Sequence, residues 1–238
     1  MMNRISICGV PIDTLSRSEA LERCYDFLHS NALRQVTTIN PEFIVEAQKS
    51  TAFLAVLQKS DLALCDGVGM QLAARWFYGA KIERIPGVDF MVAVCELAQR
   101  KKASVFFLGG RGGIAQKTAE VLQKRFPELK IAGCSEDVDI STYQNADILF
   151  VALGAPKQEL WIAQHSETLQ AQGIKIAMGV GGALDFISGN IKRAPLCVRK
   201  LGLEWLWRFA REPRRIRRTA DAVIVFPFVA LREHLRCP

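Results

Sequence analysis

Asp66 directly follows the apolar run Leu62–Cys65 and directly precedes Gly67. In open α/β sheets, ligands bind beyond the carboxyl ends of the strands. A carboxylate at such an end can take a proton from a hydroxyl as a general base, and the same position also suits the cap of a following helix. Thr38 and Asn40 lie at the end of the neighbouring run Val36–Ile39. They could hydrogen-bond the same substrate, or form the turn ahead of Pro41. Three more apolar runs end in Gly109-Gly110-Arg111-Gly112-Gly113, in Gly154-Ala155-Pro156-Lys157-Gln158-Glu159, and in Gly179-Val180-Gly181-Gly182-Ala183-Leu184-Asp185. Turn chemistry accounts for one or two such ends. Five along one edge describe a crevice for a nucleotide.

Other constellations compete with that reading. Gly110-Arg111-Gly112-Gly113-Ile114-Ala115 has the G-x-G-x-x-A spacing that cradles a dinucleotide pyrophosphate at a helix start. It follows the fourth apolar run rather than the first, and neither Glu128 nor Glu136 falls where a ribose partner belongs. An NAD-dependent oxidoreductase is therefore the second reading. Asp137-Val138-Asp139 is the kind of pair that holds a divalent ion and a nucleotide diphosphate, in a polar stretch that reads as a loop. His29, His165 and His234 share no ligand spacing, so no metal site is assigned.

The tail is distinctive. Arg208, Arg211, Arg214, Arg215, Arg217 and Arg218 place six arginines in eleven residues, just after Trp205 and Trp207. Guanidinium groups suit phosphate through forked hydrogen bonds. They also attract anionic lipid headgroups, with tryptophans at the interfacial level. A basic adaptor that binds membrane without catalysis is a third reading. No module for reading nucleic acid accompanies the patch, so no nucleic-acid partner is expected.

The elements that would position these residues alternate between short apolar runs and segments of helical period, the mark of a parallel sheet with crossover helices. The fold class is α/β: a Rossmann-like, mostly parallel sheet flanked by helices, with a basic helical C-terminal appendage. Predicted strands are Ile5–Val10, Val36–Ile39, Leu62–Cys65, Ser104–Leu108, Ile148–Leu153 and Lys175–Val180. Predicted helices are Ser18–His29, Phe43–Ser60, Gly67–Tyr78, Val88–Arg100, Ile114–Arg125 and Gln158–Gln170, the first with a cap signal at Ser16-Arg17-Ser18-Glu19. The character changes near Asn190, dividing an α/β body of residues 1–189 from an appendage of residues 190–238. The net charge of +7 belongs to the appendage, which carries 12 Lys/Arg against 4 Asp/Glu. The seven cysteines are scattered without a C-x-x-C pair, which suits a reducing compartment. The N-terminus lacks a signal-peptide pattern. No apolar stretch reaches the roughly 20 residues that cross a bilayer. The expected location is cytoplasmic, peripheral on the inner face of the membrane.

Taken together, the motifs resemble the WecG/TagA/CpsF family, glycosyltransferase family 26. The resemblance runs from about Thr38 to Arg218. It rests on Thr38-Ile39-Asn40-Pro41-Glu42, Asp66-Gly67, Glu83-Arg84-Ile85-Pro86-Gly87-Val88-Asp89, Phe107-Leu108-Gly109-Gly110, Leu153 to Glu159, Gly179 to Asp185, Arg193-Ala194-Pro195, and Gly202 to Arg208 with Glu212-Pro213. It implies an inverting, metal-independent transferase that needs no cofactor. The donor would be a UDP-sugar of the N-acetylmannosamine type, and the acceptor an undecaprenyl-diphosphate-linked sugar in surface-polymer synthesis. Asp66 would be the base, with Thr38 and Asn40 placing the substrate. Gln158 and Asp185 match positions near the nucleotide, and Arg84, Gly109 and Gly110 fall in segments expected to contact substrate or nucleotide. Arg208, Arg215 and Arg218 would belong to an appendage that closes over the site and helps membrane targeting. Relatives carry a Gly-Tyr-Phe or similar segment after the strand near Ile131. Cys134–Asn145 is short and lacks that aromatic; if the aromatic contacts the uracil ring, this chain must hold its base differently. Pairing of two or three copies through an apolar face is left open by the sequence.

Overall fold

The computed structural model describes residues 4–139, 143, 145–211 and 219–236. The chain begins with an antiparallel hairpin, β1 (Arg4–Ile7) and β2 (Val10–Asp13). Six further strands form one parallel sheet: β3 (Arg34–Ile39), β4 (Leu62–Cys65), β5 (Ser104–Gly109), β6 (Lys130–Ser135), β7 (Ile148–Ala152) and β8 (Ile176–Gly179). Their order is β4-β3-β8-β7-β5-β6. Every neighbouring pair is parallel, so the ends of β3, β4, β5, β7 and β8 all emerge on one edge. β4 and β7 are almost entirely buried because helices cover both faces, which is why they read as unbroken apolar runs.

One face carries α1 (Arg17–Leu28), α5 (Gly87–Lys101), α6 (Ile114–Arg125) and α9 (Ala183–Ile187). The other carries α2 (Pro41–Lys49), α3 (Thr51–Lys59), α4 (Val68–Tyr78), α7 (Lys157–Gln164) and α8 (Ser166–Ala171). α1 starts with the capping box expected at Ser16, whose hydroxyl accepts the Glu19 N–H while the Glu19 carboxylate accepts the Ser16 N–H. Past residue 190 come α10 (Leu196–Lys200) and α11 (Glu204–Arg211). A π-helical turn, Asp221–Val225, then runs into α12 (Phe226–Arg236).

Three expectations change. Ile5–Val10 is not a strand of the main sheet: Cys8 and Gly9 take left-handed φ values of 52° and 76° and fold the run into the hairpin. The sixth sheet strand is instead Lys130–Ser135, at the edge beside β5. Phe43–Ser60 is two helices, because Ser50 is extended (φ −133°, ψ 106°) and its hydroxyl caps the Phe53 N–H. Gln158–Gln170 likewise divides at His165.

The last helix belongs to the packing of the body. Phe226 and Ala230 are buried in the same apolar cluster as Ile7, Ile12, Phe43 and Met70. A phenylalanine buried to this extent contributes about 2–3 kcal/mol. The Glu233 carboxylate accepts from the Cys8 N–H and, at 2.7 Å, from the Tyr78 hydroxyl. The two ends of the chain are thus joined.

Candidate active site

A cleft of about 400 Å³ opens where the β3 and β4 ends face the segments past residue 190. Asn40, Asp66, Arg84, Arg193 and Glu204 give it a polar, mostly charged floor, and Leu72, Trp76, Trp205, Val223 and Phe226 give it apolar walls. The α10–α11 turn reaches the cleft through Gly202, whose φ is 74° and whose missing Cβ would lie 3.0 Å from that of Val68. Only glycine permits both the left-handed backbone and that close approach.

Asp66 is placed by the sheet. Its N–H donates to Ile39 O at 2.7 Å, continuing the β3–β4 ladder one step. The helix that follows, α4, is capped by Gly67 without any side-chain bond, so Asp66 is not its cap. Its Oδ2 instead accepts the Gly87 N–H at 3.1 Å, at the first residue of α5. Among the described residues, Oδ1 accepts no hydrogen bond. Loss of water raises the carboxyl to about 6, and Glu204 pushes the same way. The Gly87 N–H, Arg84 and Arg193 pull it back. A base with a pKa near 6 is ionised at neutral pH and keeps more proton affinity than an ordinary aspartate.

The other expected residues divide into two groups. Asn40 lines the cleft while its Oδ1 accepts the Phe43 N–H at 3.1 Å, so it is also the cap of α2. Thr38 is buried directly beneath Gly87, where an added Cβ would meet Thr38 Oγ1 at 3.2 Å. Arg84 lines the cleft and donates from Nη2 to Arg199 O at 2.8 Å. These converge with Asp66. Gly109, Gly110, Gln158 and Asp185 occupy the other strand ends of the same edge, outside the lining of this cleft. Gln158 is buried: its Oε1 accepts the N–H groups of Gly154 (3.1 Å) and Gly181 (3.0 Å), tying the β7 and β8 loops together. Gly109 and Gly110 take left-handed φ values of 95° and 77°. Asp185 Oδ1 accepts Asn190 Nδ2 at 2.9 Å. Arg215 and Arg218 lie outside the described residues, as does the side chain of Arg208.

Arg193, Asp89 and Glu204 are the residues that sequence reasoning passed over. Arg193 makes a forked pair with Asp89, at 2.8 Å for Nη2 to Oδ2, and donates from Nε to Glu204 Oε1 at 2.8 Å. All three stood in motif segments, and the pairing of oppositely charged motif residues was the available signal.

One competing reading meets an obstacle. The Gly113 N–H at the start of α6 donates to Glu136 Oε1 at 2.7 Å, so a carboxylate stands where a dinucleotide pyrophosphate would need to bind. Tyr143, the aromatic of the shortened Cys134–Asn145 segment, is buried against Phe106 and Trp161, with ring centroids 5.0 and 5.9 Å away. It is a core residue and does not face a base. Asp137 is engaged in the local turn, its backbone N–H and C=O bonded to the Ser135 hydroxyl.

Comparison with known proteins shows the family. Residues 5–237 match the family described as glycosyl transferase WecG/TagA/CpsF. An N-acetylglucosaminyldiphosphoundecaprenol N-acetyl-β-D-mannosaminyltransferase of Bacillus spizizenii is 34% identical over 200 residues, covering 81% of this chain and 77% of its own. A Staphylococcus aureus protein of the same name is 29% identical over 225 residues, covering 90% of this chain and 87% of its own. With almost the whole chain matched, this protein belongs to the WecG/TagA/CpsF family of glycosyltransferases.

Proposed function

We propose that the protein transfers an N-acetylmannosamine-type sugar from a UDP-sugar to an undecaprenyl-diphosphate-linked N-acetylglucosamine, with inversion. The observation that carries the mechanism is the Asp66 carboxylate on the cleft floor, one oxygen held by the Gly87 N–H and the other without a partner among the described residues. The acceptor hydroxyl gives its proton to Asp66 as its oxygen bonds to the anomeric carbon. The bond from that carbon to UDP breaks on the opposite face. Charge growing on the leaving diphosphate is met by guanidinium groups and backbone N–H groups aimed at it. Arg84 already lines the cleft, and Arg208, Arg215 and Arg218 are assigned the same task from the appendage.

A lipid-linked acceptor requires the enzyme to work at a membrane surface. Support comes from Trp76, Leu201, Phe228 and Leu235, each about 70% exposed, on α4, the α10–α11 turn and α12. Among the described residues no helix is long and apolar enough to cross a membrane. The reading is therefore of a protein resting on the inner face of the cytoplasmic membrane, its apolar rim in the interface and its arginines at anionic headgroups.

The decisive experiment is a donor screen with purified protein and a short-chain polyprenyl-diphosphate N-acetylglucosamine, followed by mass spectrometry. A mass gain of one N-acetylhexosamine with UDP-N-acetylmannosamine supports the reading. Gain with another UDP-sugar alone would overturn the donor, and no gain with any donor would overturn the transfer.

A further inference from the structure

Arg193 lies three residues past the boundary at Asn190, and its three guanidinium nitrogens are divided between two elements. Nη1 and Nη2 fork onto Asp89 in the first turn of α5, and Nε reaches Glu204, the first residue of α11. The side chain is only 16% exposed. Charge-assisted bonds held away from water are worth more than a surface pair. Gly87, whose N–H holds Asp66 Oδ2, begins the same turn of α5 that carries Asp89. Direct contacts therefore run unbroken from α11 through Glu204, Arg193, Asp89 and the α5 turn to the Asp66 carboxylate. A parallel strut joins Arg84 to the Arg199 carbonyl near the end of α10.

We propose that Arg193 is a positioning residue that couples the seating of α11 to the placement of the Asp66 carboxylate; the catalytic part of this proposal rests on Asp66 being the base. When α11 is seated, Glu204 fixes Arg193, Arg193 fixes the α5 turn, and the Gly87 N–H is held at the base. When α11 lifts, the turn loses its brace and the base loses its setting. The guanidinium is suited to this because one planar group can fork onto one carboxylate and still reach a second, which an ammonium cannot. The charged groups facing Asp66 are Arg84 before α5, Arg193 after α9 and Glu204 on α11, so the same brace also balances charge around the base.

The test perturbs one end of the chain of contacts and reads the other. Hydrogen exchange of the Gly87 amide is measured by NMR in the wild type, Glu204→Gln, Asp89→Asn and the double variant, with Tm as a check on folding. Glu204 hydrogen-bonds neither Gly87 nor Asp66, yet Glu204→Gln is expected to speed Gly87 exchange about tenfold. It should also lower kcat about tenfold with donor KM changed less than about threefold. In the Asp89→Asn background, adding Glu204→Gln should change nothing further, and Arg193→Lys should behave like Glu204→Gln. Gly87 exchange within about twofold of wild type in Glu204→Gln, or independent multiplying effects in the double variant, overturns the coupling. Exchange needs no turnover. Coupled exchange in a protein whose Asp66→Asn variant stays active keeps the brace and removes the base assignment, whereas uncoupled exchange with an inactive Asp66→Asn does the reverse.

Discussion

Asp66 directly follows β4 and Glu159 sits in the first turn of α7, the helix after β7, on the same sheet edge, and burial raises the pKa of both, Asp66 to about 6 and Glu159 to about 7. Their surroundings differ in every other respect. Asp66 opens onto a cleft of about 400 Å³ with two guanidinium groups acting on it. Glu159 is sealed under Gly179, with one oxygen accepting Gln158 Nε2 at 2.7 Å and the other without a partner among the described residues. Through Gln158, it braces the β7 and β8 loops. A raised carboxyl pKa reports lost water; access and nearby charge decide whether chemistry follows.

That contrast is open to direct attack. Asp66→Asn should lower kcat by about 10²–10⁴-fold while UDP affinity by calorimetry stays within a few-fold. Near-normal turnover would make Asp66 as silent as Glu159. The next largest effect falls on stability at the sealed site. Gly179→Ala pushes a Cβ against the Glu159 carboxyl and to 2.6 Å from Gln158 Nε2, which should cost about 2–3 kcal/mol in urea unfolding. An unchanged midpoint would show that the brace is loose.

The proposed base must be ionised, so kcat/KM should fall as pH drops through about 6. Arg84→Gln removes a charge that favours the ionised form and should move this limb upward. A limb near 4 in the wild type would mean that water reaches Asp66. The smallest effect on turnover is the most diagnostic for Glu159. Its folded pKa lies above the ordinary glutamate value of 4.5, so the native state keeps its proton where the unfolded chain has lost it. The stability is complete below about 4.5 and drains away as pH rises to about 7, by up to about 1.4 kcal/mol per pH unit. Glu159→Gln should flatten the slope of unfolding free energy across that window and leave turnover within about threefold. A steep slope or a large kcat loss would erase the distinction between the two carboxyls.

Much of this was readable from residues. Buried parallel strands announce themselves as apolar runs, and their ends as Asp, Asn and Gly, so the residues alone put Asp66 and Asn40 on one edge. Hidden features have physical reasons. The Cys8-Gly9 turn sat within an apolar run where a thiol reads as one more hydrophobe. The strand Lys130–Ser135 lies at an edge with one neighbour, so its partly exposed sequence carries little apolar signal. Ser50 reads as an ordinary helical residue until its extended backbone is seen. Arg193 finds Asp89 across 104 residues, a distance over which spacing says nothing. Gln158, matched to a place near the nucleotide, holds two backbone amides from beneath, so any effect on nucleotide would pass through the loops it braces.

The bond between Glu233 and the Cys8 N–H spans 225 residues, and this sets an order of events during synthesis. The hairpin leaves the ribosome before the helix that completes its apolar cluster. At translation rates of about 5–20 residues per second the interval is roughly 10–45 s. Throughout it, the half of the core around Ile7, Ile12 and Phe43 lacks its Phe226 lid. A message cut short after residue 189 would therefore yield a nascent chain with a permanently open hydrophobic seam, a client for chaperones and proteases as well as a transferase without its tail.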